Sequence, residues 1–334
     1  SFRVCVSLSL SLSSPLTRAP SLLHLFPPRR CRGKDDWFVV DQNPRGYAKL
    51  LDDLVHDTLP PHDPRLVFNA LVEKIAWNCD GVTLTTRDGR SFFAREEVIL
   101  TLPLGVLQRK HASLFEPSLS NAHVKVLDDD GIVMGNLTHV LFQWSEIWWD
   151  DSLTRWVSAN KNANTSAKSG EFSEWQNLNH ASMLPGSNIL LSFLGDPQSS
   201  RYEGMLDAEV EAAALARVRE QNPSKTIGKP TDFFISRHGY NELSFGAYSD
   251  FKPGWKDKFM TTMKEPLKAR ECKDGHGPHV RTRIRWAGEA MCDDLSGFTH
   301  GGLQSGVEAA AHYLFEHELG PKPGDDDRLS LCNW

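Results

Sequence analysis

Long apolar runs, dense basic runs and closely spaced cysteine pairs are all missing from this sequence of 334 residues. No stretch approaches the roughly 18 to 20 consecutive apolar residues that a membrane-spanning helix needs, so we expect no membrane span. The formal net charge is −6, and the densest basic patch is only Arg29–Arg32, so the chain lacks a positive field that would attract phosphate backbones. We therefore expect no nucleic-acid partner.

Six cysteines are scattered along the chain, without the C-x-x-C spacing of a zinc site or the density of a small disulfide scaffold. No Ser/His/Asp arrangement and no metal-ligand cluster stands out either. The sequence therefore predicts no metal centre and no acid–base triad, and the cysteines leave the redox compartment undetermined.

The composition is that of an ordinary soluble globular protein, with 40% hydrophobic and 24% charged residues over a length that suits two domains. Residues 1–34 differ from the rest through Ser-Leu repeats, several prolines and the lack of a starting Met. This composition favours a disordered or non-native leader, such as a mis-spliced gene would produce. A targeting segment is the alternative, although serines interrupt its apolar positions.

Alternating and helical patterns predict secondary structure from residue 35 onward. Short apolar and β-branched runs separated by turn residues indicate an antiparallel meander followed by a buried strand. Later apolar residues at helical spacing predict two clear helices. The predicted strands are 37–40, 66–77, 81–86, 91–94, 98–102 and 284–287, and the predicted helices begin near Pro44 and span 206–221 and 301–319.

The most informative segment runs from Arg285 to Gly306 and combines a short strand, a loop and a helix whose first turn is rich in glycine. Glycines there let a flat ligand approach the backbone, and the free N–H groups at a helix start favour an anionic or electron-rich atom. Glu289, at the end of the strand, is able to accept hydrogen bonds from sugar hydroxyls. The alternative is that the glycines only permit close helix packing.

The same segment, from Arg285 to Leu314, resembles the C-terminal flavin-binding signature of the flavin-containing amine oxidases, most closely the polyamine oxidase branch. Weaker matches follow the family's order between residues 35 and 319. They include the apolar run at 98–107 and Gly246–Ser249, which resembles a turn beside the flavin ring. The order and spacing of the matches, more than any single motif, indicate the family.

The resemblance implies an α/β fold with mixed α+β character, in which a partial GR2-like FAD-binding domain accompanies a mixed-sheet substrate domain. It predicts FAD-binding parts at 35–114 and 251–320, a substrate-binding domain at 115–250 and a tail at 321–334. The implied FAD-contacting residues are Val72, Pro103, Gly105, Tyr248, Phe251, Gly288, Glu289, Phe298, Thr299 and Gly301.

The implied reaction is the two-electron oxidation of a small-molecule amine, expected to be a polyamine, with FAD as cofactor and O₂ as the second substrate. A hydride passes from the α-carbon of the amine to flavin N5, the imine hydrolyses, and O₂ reoxidises the flavin with release of H₂O₂. The share of the protein is to hold the C–H bond near N5 and to keep the amine unprotonated.

Two positions with catalytic roles in the family are altered in this chain. His139 takes the place of a lysine that usually holds a water against flavin N5, and the alternative is an ordinary strand histidine that faces solvent. Phe298 takes the place of an aromatic cage residue that is often Tyr, so it keeps the flat wall and loses the hydroxyl. His139 and Phe298 are the predicted catalytic residues.

The family's opening G-x-G-x-x-G motif, which cradles the FAD pyrophosphate, occurs nowhere in this sequence. Three interpretations therefore stay open: an incomplete chain of a polyamine oxidase, a related flavin oxidase that acts on amino acids or methyl-lysine, and an inactive or structural fragment. The amine, the compartment and the oligomeric state stay undetermined. For the tryptophans at 144–149 and Trp175, core packing is favoured over a cation cage.

Overall fold

The computed structural model describes residues 62–129, 131–158, 170–273, 278–292 and 295–322, together with isolated positions between 53 and 60. The leader at 1–34, the strand predicted at 37–40, most of the helix predicted from Pro44 and the end of the tail lie outside the described residues.

The described elements follow one another along the chain as alternating groups of strands and helices. The strands are β1 (Val72–Trp77), β2 (Val82–Thr86), β3 (Ser91–Ala94), β4 (Val98–Leu100), β5 (Phe115–Glu116), β6 (Ile132–Gly135), β7 (Leu137–Gln143), β8 (Arg155–Val157), β9 (Glu174–Asn177), β10 (Ile189–Gly195), β11 (Asp232–Ile235), β12 (Tyr248–Phe251), β13 (Leu267–Lys273) and β14 (Pro278–Trp286). The helices are α1 (Leu104–Leu114), α2 (Asn121–Leu127), α3 (Gln198–Glu203), α4 (Asp207–Gln221), α5 (Lys256–Met263) and α6 (Thr299–Glu316).

Two compact units make up the described chain. The first combines 63–134 with 242–322, and the second combines Gly135–Asn241 with the described residues up to His62. Each unit has its own buried apolar cluster. No helix in the described ranges is long and apolar enough to cross a bilayer. The assignment of FAD-binding and substrate-binding parts, with boundaries at 114 and 250, remains a prediction.

Sheets of mixed direction characterise the first unit. Strands β1, β2 and β3 form the predicted antiparallel meander, and β5 joins β1 in parallel. Strand β14 pairs antiparallel with β13 and parallel with β4, and β12 pairs with β6. Mixed sheets alongside helices confirm the predicted α/β fold class.

Helix α1 is a structural element that the sequence pattern did not predict. The run at 98–107 indicates a strand and a turn, but the strand ends at Leu100 and the helix begins directly after Pro103. Pro103 has a φ of −55°, which suits the start of a helix. Leu104 and Leu107 are buried one above the other, which is helical spacing that the turn interpretation overlooked.

The other predicted elements within the described residues are present, but their ends differ from the prediction by up to six residues, and β14 begins at Pro278 and not at 284. Strand β1 begins at Val72 and not at 66, because Asn69 adopts a left-handed φ of 55° that interrupts an extended run. Helix α4 begins one residue after the prediction, and Glu209 accepts a hydrogen bond from the N–H of Leu206 at 3.0 Å. Helix α6 begins two residues earlier than predicted and ends three residues earlier.

The second unit is built on a sheet of five described strands in the order β11-β7-β10-β9-β8, whose neighbours run antiparallel. Along β7, alternate side chains such as Val140 and Phe142 are buried. The rings of Trp144 and Trp175 lie 5.3 and 6.0 Å from the ring of Phe142. Both tryptophans are buried, which confirms the core-packing interpretation for them.

A fully buried guanidinium group fastens two turns of the first unit to β14. Arg283 donates from Nε to the Asn78 carbonyl at 2.9 Å and from Nη2 to the neighbouring carbonyl of Cys79. Its Nη1 donates to the carbonyls of Arg95 and Glu96 at 2.8 and 2.6 Å. These four carbonyls satisfy a charge whose burial would otherwise be very costly.

A disulfide joins the same region of the first unit. Cys79, in the turn between β1 and β2, is bonded to Cys272 on β13, with Cα atoms 5.2 Å apart. The two cysteines are 193 residues apart in sequence, a separation that gave no indication of pairing. The cross-link closes a long loop and so restricts the unfolded chain.

A buried carboxylate next to β4 connects this strand to the end of α6. Glu97 is only 1% exposed, and its Oε2 accepts a hydrogen bond from Arg285 Nε at 2.8 Å. Arg285 also pairs with Glu316, and His317 Nε2 lies 3.8 Å from Glu97 Oε1. Burial raises the pKa of Glu97 from its ordinary 4.5 to about 7, although Arg285 favours the charged form.

We predict that Glu97 makes stability fall as pH rises. Because its folded-state pKa is raised to about 7, its contribution is complete below about pH 4.5 and is lost as pH rises through about 7. The free energy of unfolding should drop by up to about 3 kcal/mol between about pH 5 and pH 8. Denaturant titrations across this range should show a much smaller drop in Glu97→Gln.

Glu96→Gln, a change at the neighbouring residue, should keep the wild-type pH dependence and serves as the matched control. An unchanged slope in Glu97→Gln would mean that another group causes the dependence.

Candidate functional site

The end of β14 leads directly into the glycine-rich segment. Ala287 still donates its N–H to the Leu100 carbonyl of β4 at 2.8 Å. Gly288 then turns the chain with a φ of 133°, a conformation that glycine adopts readily. A Cβ added at Gly288 would meet no atom within 4 Å, so its surroundings are open. A short 3-10 turn (Glu289–Met291) follows, and α6 begins at Thr299.

The carboxylate of Glu289 accepts three hydrogen bonds from within the first unit. Its Oε1 accepts from the Ser249 N–H at 3.2 Å. Its Oε2 accepts from Ser249 Oγ and from the Gly297 N–H, each at 2.6 Å. An ionised carboxylate offers about four acceptor positions, so about one position, on Oε1, is left for a ligand.

Ser305 holds the first turns of α6 against the Gly288 turn. Its Oγ accepts from the Gly288 N–H at 2.9 Å and lies 2.7 Å from the Gly288 carbonyl and 3.1 Å from the Gly302 carbonyl. Ser305 is almost fully buried. The helix start is therefore fastened to the Gly288 turn by one hydroxyl.

The start of α6 carries no side-chain cap and exposes aromatic surface. Phe298, which precedes the helix, is 59% exposed, and its ring lies 5.3 Å from that of His300. Thr299 is also exposed. Tyr248 is 37% exposed, and a Cβ added at Gly297 would lie 3.5 Å from its ring. Tyr248 therefore lies close to the start of α6.

These features fit the flavin that the sequence resemblance implies. Uncapped N–H groups at a helix start favour an electron-rich edge by about 0.3 to 2 kcal/mol per charge. Open space beside Gly288 and the exposed ring of Phe298 suit a flat group, and Glu289 keeps one acceptor position for a hydroxyl. The residues that would hold such a group are Gly288, Glu289, Phe298 and Thr299.

Gly301 packs closely against the loop before α6 and does not border open space. A Cβ at this position would lie 2.2 Å from the carbonyl oxygen of Leu295, so this glycine permits the loop to pack against the helix. The close-packing alternative therefore holds for Gly301, whereas Gly288 faces open space. Contact between Gly301 and flavin remains a prediction.

The remaining predicted FAD-contacting residues lie elsewhere in the first unit and have packing contacts of their own. Val72 and Phe251 are half-buried against the core of the unit. Pro103 precedes α1, and Gly105 is buried where a Cβ would lie 2.3 Å from the Ser244 carbonyl oxygen. Their contacts with flavin remain predictions.

His139 lies on β7 of the second unit, on the half-buried side of the strand. Its ring centroid is 5.1 Å from that of Phe193 and 6.2 Å from that of His238. Burial lowers the pKa of His139, and the nearby His238 lowers it further. The imidazole is therefore neutral at neutral pH, unlike the lysine it is predicted to replace, and its catalytic role remains a prediction.

Sequence reasoning did not single out Ser249, Gly297 and Ser305, which hold the segment together. Ser249 stands at the end of the turn resembling the family's flavin-side motif, so its position carried a signal. Ser305 follows Gly302 by three residues, a spacing at which a hydroxyl returns to a helical carbonyl. The partner of Gly297 could only be found from the fold.

We predict that Gly301→Ala destabilises the protein and that Gly306→Ala does not. The first places a methyl group against the Leu295 backbone and should destabilise the protein by about 1 to 3 kcal/mol. The second is in the same helix, where a Cβ meets nothing within 4 Å, and should be neutral or stabilising by up to about 1 kcal/mol. Urea unfolding measures both, and equal stabilities would contradict the close Leu295 contact.

Comparison with known proteins identifies the family. The family described as flavin containing amine oxidoreductase matches residues 24–314. Polyamine oxidase 1 of Zea mays is 25% identical over 285 residues, covering 83% of this chain and 52% of that protein. Polyamine oxidase 6 of Oryza sativa subsp. japonica is 25% identical over 284 residues, with coverage of 83% and 52%. The chain thus spans about half the length of the curated relatives it matches.

Solved structures show the same fold. Cyclohexylamine oxidase from Brevibacterium oxydans IH-35A aligns with a TM-score of 0.57 at 18% sequence identity, over 82% of this chain and 53% of that one. The family match over most of the sequence confirms both the predicted resemblance and its flavin class of cofactor. The chain belongs to the flavin-containing amine oxidoreductases.

Proposed function

We propose that the complete protein is an FAD-dependent oxidase of a small amine, with a polyamine as the first candidate substrate. The observation that carries the proposal is the strand–turn–helix segment from β14 to α6, in which the open turn at Gly288, the carboxylate of Glu289 and an uncapped helix start lie together. Relatives named polyamine oxidase support the choice of substrate.

When bound, FAD would supply the oxidant by taking a hydride from the carbon next to the amine nitrogen, while O₂ accepts the electrons as H₂O₂ and water converts the imine to products. The residues of this chain bind and orient. The helix start would attract the electron-rich edge of the ring, Phe298 would form a flat wall, and the remaining acceptor position of Glu289 would take one hydroxyl.

His139 is proposed as the residue that handles a proton or a water near the reacting amine. Its lowered pKa leaves the ring neutral at neutral pH, so it would accept a hydrogen bond or a proton, whereas a protonated lysine can only donate. Acidification that protonates His139 should therefore slow turnover, and the slowing should occur below the pKa of an ordinary imidazole.

The proposal is tested with the complete protein purified in excess FAD. We expect flavin absorbance that stays with the protein and peroxide release with spermine or spermidine. A panel that adds cyclohexylamine, amino acids and a methyl-lysine peptide separates polyamine oxidation from oxidation of other amines. Protein that is folded, binds no flavin and releases no peroxide with any amine would overturn the proposal and favour an inactive or structural role.

We predict that His139→Ala keeps FAD bound and slows flavin reduction or reoxidation by about 100-fold, the usual contribution of one acid–base group. His139→Lys, which introduces the family's residue, should recover much of the rate with an altered pH profile. Stopped-flow absorbance measures both half-reactions. His180→Ala removes another half-buried histidine of the second unit and should leave the rates unchanged.

Unchanged rates in His139→Ala would instead identify His139 as an ordinary strand residue.

A further inference from the structure

Three separate chain segments meet at the Glu289 carboxylate. Ser249 lies on β12, Glu289 lies in the 3-10 turn after β14, and Gly297 lies in the loop just before α6. Ser249 contributes two donors, its N–H to Oε1 and its hydroxyl to Oε2, and Gly297 contributes its N–H to Oε2. Both carboxylate oxygens are therefore held in a fixed orientation.

Burial strengthens this arrangement. Ser249 is only 3% exposed, so its hydroxyl has no ready water partner and its hydrogen bond to a charged acceptor is of the stronger kind. Gly297 has a φ of 85°, a conformation that glycine adopts readily, and its N–H donates to the same carboxylate directly before Phe298. The position of the carboxylate thus determines where the loop enters the helix.

We propose that Ser249 is a positioning residue of the cofactor site: through Glu289 it holds the 295–298 loop and the uncapped start of α6 in the shape that receives FAD. The proposal rests on the proposed flavin function for the identity of the ligand. Glu289 then has two tasks, because three acceptor positions bind the protein and about one, on Oε1, is left for a ligand. A site shaped in advance binds its ligand without a further ordering cost.

The first measurement is the dissociation constant of FAD in the complete protein, by flavin fluorescence. Ser249→Ala should weaken FAD binding by about 10-fold, as loss of one charge-assisted hydrogen bond predicts. Ser249→Thr keeps the hydroxyl and should restore most of the affinity. Ser113→Ala removes an exposed serine of α1 in the same unit and should change nothing.

The second measurement needs no flavin. Amide hydrogen exchange of the FAD-free protein should be faster at 297–301 in Ser249→Ala than in wild type, with global stability taken from denaturant unfolding. Should Ser249→Ala fail to fold, Ser249→Cys, which has a similar shape and a weaker donor, takes its place in both measurements.

The three hydrogen bonds from Ser249 and Gly297 to the Glu289 carboxylate form what we call the clamp. A double-mutant cycle separates its effect from a general loss of stability. Ser249→Ala and Glu289→Ala act on one interaction, so their combined effect on FAD affinity should be clearly smaller than the sum. Additive effects, or unchanged exchange at 297–301 in a folded Ser249→Ala protein, would overturn the positioning role. Wild-type protein that binds no FAD would overturn the proposed function, while the exchange experiment would still decide whether the clamp exists.

Discussion

Two arginines placed two residues apart on β14 bury their guanidinium groups on the same side of the strand, and together they join β14 to the meander, to β4 and to the end of α6. Arg283 satisfies the carbonyls of two turns around the meander, and Arg285 binds Glu97 beside β4 and Glu316 at the end of α6. Burying such charges is costly unless they are paired and hydrogen-bonded. These contacts hold β14 in place up to the glycine-rich turn.

The polar groups that follow β14 are hydrogen-bonded to one another, so the position of β14 determines where they lie. Ser305 closes the Gly288 turn against α6, and Glu289 joins that turn to Ser249 and Gly297. Ser305 and Glu289 each accept a hydrogen bond from the backbone N–H of a glycine, Gly288 and Gly297 respectively. The resulting helix start has its N–H groups uncapped while its flanks are fixed, a combination suited to receiving an electron-rich group.

Much of the fold was accessible from the sequence, because apolar periodicity reports directly on which face of an element is buried. The meander, β4, α4 and α6 were all predicted from such patterns. Helix α1 was missed since Leu104 and Leu107 follow an apolar strand without a polar break, and a continuous apolar run is ambiguous between strand and helix. The Cys79–Cys272 pairing was also inaccessible, because no local pattern relates residues 193 positions apart.

For the candidate site, the sequence indicated which segment is special and left its internal contacts open. A glycine in the sequence marks a special position but does not say why glycine is needed there. Gly288 has an unusual φ and open surroundings, whereas Gly301 makes room for the Leu295 carbonyl. A carboxylate is ambiguous in the same way, because only the fold decides how many of its acceptor positions are already used. Glu289 was predicted as a ligand of the cofactor, and three of its positions in fact bind the protein itself. If Glu289 binds the cofactor as proposed, its substitution changes both the shape of the site and the direct contact. Substitution of its partner Ser249 changes only the shape, so the proposed role of Ser249 separates the two effects.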